Sequence, residues 1–308
     1  MKIDKCKFCT SERHFLINSD NNFSHYQCKS CLHVDVFPMP SLKELDDYYN
    51  KEYDYTKPPT IDLDKRHFFV AKYFEKTIRN IRILDIGCAN GDFLAGLRQL
   101  GFNDLSGVEL NKEMAEIAKT RGINVFNGMF NSETFKNQEF DFINLGDVIE
   151  HVPDPKILLR DLSNLLAPEG ICFISTPNVD NFFSKATFTL FRMFGVPWSS
   201  IDPPAHINLF THKSLLLLLS DLSLEHISAW PYRVPLFYEL GHTHLYRKFR
   251  EQKNLLNLAK WMFGWASYMI LFLLHVLMAF LTKKDTGMLY VIKGQGGSPF
   301  FRIRQSSN

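Results

Sequence analysis

Short apolar runs alternate with amphipathic stretches from Ile81 onward. The runs Ile81–Ile86, Leu105–Leu110, Asn124–Phe126, Phe140–Leu145 and Ile171–Ser175 predict strands, and Phe93–Leu100, Lys112–Thr120 and Ile157–Leu166 predict helices between them. Strands that are apolar throughout must be covered on both faces, and intervening helices are what covers them. The pattern therefore predicts an α/β fold with a doubly wound, mostly parallel sheet. Further on, Lys213–Leu222 reads as a helix, Leu224–Trp230 as a strand, and Met288–Lys293 as a last strand expected to run antiparallel.

The segments around this regular part carry different signals. Residues 1–40 hold Cys6-x2-Cys9 and Cys28-x2-Cys31, with strand-like Phe23–Tyr26 and Val34–Phe37 around the second pair. Forty residues bury too little apolar surface to fold alone, and this cysteine spacing suits a tetrahedral, structural zinc site, a zinc ribbon. Two disulfides are the competing reading. Residues 41–66 form a tyrosine-rich linker or cap. It holds a helix and loop over Leu42–Tyr55 carrying Tyr48, Tyr49, Tyr53 and Tyr55, and then a turn at Pro58-Pro59. The core is expected over 67–180, opening with a helix from His67 to Ile78. The aromatic-rich, irregular stretch from Phe182 to Trp198 belongs to a lid at 181–212, and residues 213–308 complete the sheet around an apolar helical insertion at about 245–284.

Composition narrows the partners. The 308 residues carry a net charge of +2 with 22% charged side chains, so no broad basic field makes nucleic acid an expected partner. Met1–Cys6 lacks the apolar region and cleavage site of a secretory signal, which leads to the expectation of a cytoplasmic chain. Cys88 and Cys172 lie in or beside apolar strands and read as small hydrophobic residues.

The candidate ligand site follows the first core strand. In a Rossmann-like sheet the first strand-to-helix turn lets a ligand approach the backbone, and Leu84-Asp85-Ile86-Gly87-Cys88-Ala89-Asn90-Gly91 supplies such a turn. Glu109, eighteen residues after Gly91, ends the second strand where a carboxylate reaches ribose hydroxyls. A dinucleotide fingerprint needs three glycines, and here Gly87, Ala89 and Asp92 occupy those places. A carboxylate at the third would crowd the helix packing and repel a pyrophosphate. An acidic turn with Asp85 and Asp92 suits a ligand bearing an ammonium group and a positive sulfur.

The acidic residue, Gly87 and Gly91 resemble the first motif of the class I S-adenosylmethionine-dependent methyltransferases. Asp147-Val148-Ile149-Glu150-His151-Val152-Pro153-Asp154-Pro155 resembles the fourth-strand motif of a subgroup that includes the ubiquinone-pathway O-methyltransferases. The cysteine pairs followed by a proline and tyrosines are similar to those of bacterial methyltransferases that modify sugars and surface polysaccharides. The resemblance implies S-adenosylmethionine as cofactor, bound by Asp85, Gly87, Cys88, Ala89, Gly91, Glu109, Leu110 and Asp147, and structural zinc on Cys6, Cys9, Cys28 and Cys31. It implies His151 as general base, Glu150 as its orienting group or a metal ligand, and His206, in a Pro-x-His-x-x-x-Phe element, as a second catalytic candidate.

Trp261–Leu281 is apolar except for Ser267 and His275, and is flanked by Lys260, by Lys283-Lys284 and by a basic run at Arg247, Lys248, Arg250 and Lys253. A single span would strand the last strand across a bilayer, so the expectation is a shallow helix pair on the inner face of the cytoplasmic membrane, with a buried cap or homodimer interface as the alternative. The expected function is O-methylation of a sugar, glycan or other small-molecule acceptor, lipid-linked in the membrane case. Its rival is a catalytically inactive methyltransferase-fold scaffold at a membrane.

Overall fold

The strands Arg82–Ile86 (β4), Phe140–Gly146 (β7) and Leu166–Pro177 (β8) are apolar on both faces because helices cover both. Successive residues point to opposite sides. Leu84, Ile143, Leu145, Cys172 and Ile174 meet Leu158, Leu159 and Leu162 of helix Pro155–Leu165 on one face. Ile83, Phe142, Ile171 and Phe173 meet Val70 of Lys65–Tyr73 and Leu94 and Leu97 of Asp92–Gln99 on the other. Each such side chain contributes about 1.5–3 kcal/mol on burial.

The computed structural model describes residues 5–18, 23–41, 43–45, 48, 61–75, 80–195, 198–200, 204–234 and 254–293. Most of the expected helix and loop over Leu42–Tyr55, the turn at Pro58-Pro59, Ile78, and the basic run at Arg247, Lys248, Arg250 and Lys253 lie outside these residues.

Numbered along the chain, the other strands are β1 (Arg13–Asn18), β2 (Ser24–Cys28), β3 (Val34–Phe37), β5 (Asp104–Glu109), β6 (Asn124–Asn127), β9 (Asn208–Leu209), β10 (His226–Tyr232) and β11 (Gly287–Lys293). The helices are α1 (Lys65–Tyr73), α2 (Asp92–Gln99), α3 (Lys112–Thr120), α4 (Pro155–Leu165), α5 (Phe182–Phe194), α6 (His212–Asp221) and α7 (Leu255–Thr282). Seven strands form one sheet in the order β10-β11-β8-β7-β4-β5-β6. It is parallel from β8 through β6, while β11 runs antiparallel to both β8 and β10, the Rossmann-like arrangement read from the strand pattern. The order reverses beside β4, which opens a crevice at the carboxyl ends of β4, β5 and β7.

A second sheet, β1-β2-β3-β9, carries the cysteine pairs, and two of its strands escaped the sequence reading. β1 is only partly buried, and β9 is two residues long. β9 joins the two sheets' domains: it pairs antiparallel with β3 through Val34↔Leu209 and Asp35↔Asn208. Thr211 Oγ1 donates to the Cys31 carbonyl at 2.7 Å, Lys7 Nζ donates to Asn208, and Arg13 pairs with Asp35 in a buried ion pair.

One expectation changes. The aromatic stretch is a regular helix, α5, over most of its length; Asn181 caps it at the Ser184 N–H, and Gly195 ends it in the left-handed region with φ +67°. Its phenylalanines obscured a helical spacing that the caps at both ends define. Among the described residues the apolar insertion holds a long helix, α7 (Leu255–Thr282), and the insertion's first part, 245–253, lies outside them. The helix lies along α5, with Phe183 against Tyr268 and Phe272, and Phe194 against Phe263.

Asp35→Ala leaves the Arg13 guanidinium buried without its carboxylate. Urea denaturation is expected to show a loss of about 3–5 kcal/mol, the cost of breaking one side of a buried pair.

Candidate active site

The turn after β4 is built around backbone groups. Gly87 has φ +77° and Gly91 φ +80°, and the N–H groups of Gly87 and Cys88 both donate to the Val108 carbonyl. A side chain at Gly87 would meet Val148 Cγ2 at 2.5 Å, and one at Gly91 would meet Ile123 Cδ1 at 2.4 Å. Each glycine is thus required both by conformation and by close approach. Glu109, at the end of β5, ties the turn to the next strand: it accepts from the Ala89 N–H at 2.9 Å and the Asn111 N–H at 2.7 Å. Burial raises its carboxyl against these donors. A carboxylate offers about four acceptor positions and these bonds use two, leaving capacity for hydroxyls on the cleft side.

The cleft above this turn has a volume of about 1970 Å³. Gly87, Ala89, Glu109, Leu110 and Asp147 line its cofactor end, and Glu150, His151 and His206 line the far end. The remaining turn residues stand behind it. Asp85 is buried and accepts from Asn144 Nδ2 at 2.7 Å; burial pushes its carboxyl up to about 7. Cys88 points its sulfur at Gly107 and packs in the core, and Gly91 packs on Ala118. All three support the turn from behind. Asp92 also turns away from the cleft, pairing with Arg121 at 2.6 Å. It therefore does not contribute the acidic surface expected of it.

Asp147 sits in the left-handed region at φ +52° and accepts from the Tyr232 hydroxyl at 2.7 Å. The Tyr232 ring fills the space over Gly287, where any side chain would come within 2.3 Å of it. Burial and the neighbouring Asp147 charge raise the Tyr232 hydroxyl well above its ordinary range.

At the far end, Glu150 is buried; its Oε2 accepts from Thr176 Oγ1 at 2.9 Å, while Oε1 has no hydrogen-bond partner and lies 3.8 Å from His151 Nε2. Burial and Asp147 raise the Glu150 carboxyl well above its usual range. His151 Nδ1 lies 3.1 Å from the Ala205 carbonyl. A carbonyl only accepts, so Nδ1 carries the proton and Nε2 carries the lone pair. Burial and the adjacent His206 push the His151 imidazole down to about 3. The rings of His151 and His206 are 4.9 Å apart, and the ligand atoms of Glu150, His151 and His206 all lie within 4.8 Å of one another.

A separate cluster is formed by Cys6, Cys9, Cys28 and Cys31. Its sulfurs lie within 4.8 Å of one another, with Cys6–Cys31 at 3.7 Å and Cys9–Cys28 at 3.4 Å, and all four are free thiols. Tetrahedral zinc–sulfur bonds of about 2.3 Å place neighbouring sulfurs about 3.8 Å apart, so the donor set and spacing fit zinc. N–H groups of Phe8, Ser30 and Cys31 point at the sulfurs of Cys6 and Cys28, as they do where thiolate charge needs stabilising.

A family model for a methyltransferase domain matches residues 63–229, more than half of the chain. The chain belongs to the class I S-adenosylmethionine-dependent methyltransferases. It is 28% identical over 186 residues to an uncharacterised protein of Methanocaldococcus jannaschii, covering 59% of this chain and 82% of that one. A ubiquinone biosynthesis O-methyltransferase of Haemophilus ducreyi is 30% identical over 110 residues, covering 32% of this chain. The chain spans 45% of that relative's length. Among solved structures, a SAM-dependent methyltransferase from Archaeoglobus fulgidus superposes with a TM-score of 0.44 at 15% identity, covering 74% of this chain and 94% of that one.

Several cleft residues of this methyltransferase were not singled out in the sequence. Met129 and Phe130 line the cleft after β6, next to Leu110, and form an apolar wall beside Glu109. Their position after the third parallel strand, following Gly128, was the available signal. Arg66, held to Asp64 by an ion pair at 2.7 Å, lies over the Phe93 ring and also lines the cleft; a lone arginine in an amphipathic helix gave no signal.

Gly87→Arg is expected to abolish binding of S-adenosylhomocysteine in calorimetric titration. The same titration should leave Asp92→Asn with near-native affinity, because Asp92 faces Arg121.

Proposed function

We propose that the protein transfers a methyl group from S-adenosylmethionine to a hydroxyl oxygen of a sugar or glycan acceptor in the cytoplasm, with His151 as general base. The observation that carries this reading is the fixed tautomer of His151 at the carboxyl edge of the sheet, with its basic nitrogen beside the orphaned oxygen of Glu150. The curated relatives that act on oxygen during ubiquinone biosynthesis support transfer to oxygen. A sugar suits the cleft wall that carries Ser175, whose hydroxyl has no hydrogen-bond partner among the described residues, with Ser199, Ser200 and Arg233, which bring hydroxyl and guanidinium groups to the cleft for a polyhydroxylated ligand.

When bound, S-adenosylmethionine supplies an electrophilic methyl on a positively charged sulfur. The backbone of Gly87 and Ala89, the Glu109 carboxylate and the Leu110, Met129 and Phe130 side chains line the cleft that would hold it, with Glu109 free to accept from the ribose hydroxyls. Buried carboxyls at Asp85, Glu109 and Glu150 favour a cationic ligand over a phosphorylated one. As the methyl carbon–sulfur bond breaks to a neutral thioether and the carbon–oxygen bond forms, the proton lost by the acceptor hydroxyl would pass to His151 Nε2. The resulting imidazolium keeps its Nδ1–H on the Ala205 carbonyl and gives Glu150 Oε1 the partner it lacks. His206 shares this wall and positions the acceptor. α5 and Trp198 cover the site and keep water out.

In the same reading the four cysteines hold a structural zinc. Zinc analysis of purified protein is expected to give about one equivalent per chain. Chelation or Cys28→Ser should lower the melting temperature and, through β3 and β9, weaken acceptor turnover more than S-adenosylhomocysteine binding. Full stability without metal overturns the zinc assignment.

His151→Ala should lower kcat by about 10²–10⁴ with cofactor affinity unchanged, measured by labelled-methyl transfer over nucleotide sugars and glycans. Because its folded pKa is lowered, His151 stays neutral as pH falls through the ordinary histidine range, so kcat/KM is expected to have no acid limb near pH 6.5. A limb there shows that His151 titrates in the ordinary range, and a fully active His151→Ala protein removes His151 from the base role.

A further inference from the structure

Helix α7 has one covered side and one bare side. Gly264, Tyr268, His275 and Ala279 are buried against the protein. The opposite arc exposes Met262, Trp265, Ile270, Leu273, Leu277 and Phe280, among others, so that only 22% of the helix's apolar window is buried. A helix of a protein core would be mostly covered, and a surface helix would place charges on its outer face. Between Lys260 and Lys283 there is no Asp, Glu, Lys or Arg on either face.

The width of this surface decides what covers it. At 100° per residue the exposed apolar positions, from Trp265 on one flank to Leu274 on the other, span about half the helix circumference. A partner helix packs along a narrow seam and would leave both flanks wet. A second copy would also bring its own Lys260 and Lys283 against these lysines, while Lys284 is paired with Asp180. An apolar slab with an anionic surface covers the whole arc and meets the lysines at both ends of the helix. Trp261 and Trp265 stand at one end, in the position aromatic residues take at a membrane interface. Because the other side of α7 packs on α5, lipid cannot surround the helix.

We propose that α7 lies in the plane of an anionic bilayer leaflet with this arc embedded. The helix is pinned for that role. Its buried polar residue, His275, bonds Asp285 at 2.9 Å, and Asp285 in turn pairs with Arg233 at 2.9 Å, so the chain leaves and re-enters the sheet at one clamped point. Phe183 lines the cleft and packs on Tyr268 and Phe272, so the acceptor end of the site stands beside the embedded surface.

The test is flotation of the full-length protein with vesicles of phosphatidylcholine and phosphatidylglycerol, alongside vesicles of phosphatidylcholine alone. The expected result is that the protein floats with the mixed vesicles, more weakly with the neutral ones, and that tryptophan emission shifts to the blue. Leu273→Asp with Leu277→Asp changes exposed positions and should lower the partition coefficient at least about tenfold. Calorimetric titration with S-adenosylhomocysteine checks that this variant stays folded, and failure of that binding in the native protein would count against the methyltransferase site alone. The proposal is overturned if the native protein stays in the soluble fraction, if the double variant floats equally well, or if lipid-free sedimentation shows a stable dimer that the double variant abolishes.

Discussion

The Glu150 carbonyl accepts hydrogen bonds from the N–H groups of both Ile207 and Asn208, at 3.0 Å each. This pair of bonds connects everything around the far end of the cleft. Glu150 and His151 follow β7, and Ala205 and His206 precede β9, so the bonds bring together two stretches far apart in the chain. Asn208 also donates to the Val152 carbonyl at 2.6 Å, which fixes the loop on the other side of His151. β9 is too short to hold itself, and its other edge pairs with β3 of the cysteine module. The module therefore acts as a brace. Its strand β3 holds β9, and β9 sets where the Ala205 carbonyl and the His206 ring stand relative to His151.

Electrostatics explains why the site tolerates so many buried acids. Asp85, Glu109, Asp147 and Glu150 all lie at the carboxyl ends of β4, β5 and β7 or just beyond them. Asp85 and Glu150 are raised by burial and further by an acidic neighbour, Glu109 for Asp85 and Asp147 for Glu150; burial alone raises Glu109. A cluster of this kind is destabilising in itself, since desolvation opposes ionisation and each charge opposes the next. A cationic ligand offsets both, because its charge favours the ionised form of Asp85, Glu109 and Glu150. The same arrangement disfavours a pyrophosphate, and so it separates this cleft from a dinucleotide site more directly than the glycine spacing does.

What the sequence made legible follows from where the physics is local. The sheet could be read because strands buried on both faces are continuously apolar, as in Phe140–Leu145, and because Gly87, Gly91 and Glu109 sit at fixed distances along one strand–turn–helix unit. The roles of Asp85, Cys88 and Asp92 were less legible, because which way a side chain points from a tight turn depends on partners such as Asn144, Gly107 and Arg121 that are distant in sequence. β9 was invisible for the same reason. Two residues carry no periodicity, and only the edge of β3 makes them a strand. In α5 the apolar residues are too many for a helical stripe to stand out, and the element is defined by Asn181 and Gly195 at its ends.

The long connection between β10 and β11 shows how an apolar helix can be added without disturbing the sheet. Val234 donates to Thr286 Oγ1 at 2.8 Å, Arg233 pairs with Asp285, and Asn178 bonds the backbone of both Asp285 and Thr286. These bonds close the excursion at its base, so the register of β11 against β8 and β10 is set before any contact made by α7. They also place that base on Asn178, at the end of β8, one turn of chain before α5. A force on α7 therefore reaches the lid at two points, through Asn178 and through the packing of Phe183 on Tyr268 and Phe272. Since Asn178 and Phe183 both line the cleft, the base of the excursion and the packing of α7 on α5 both bear on its wall.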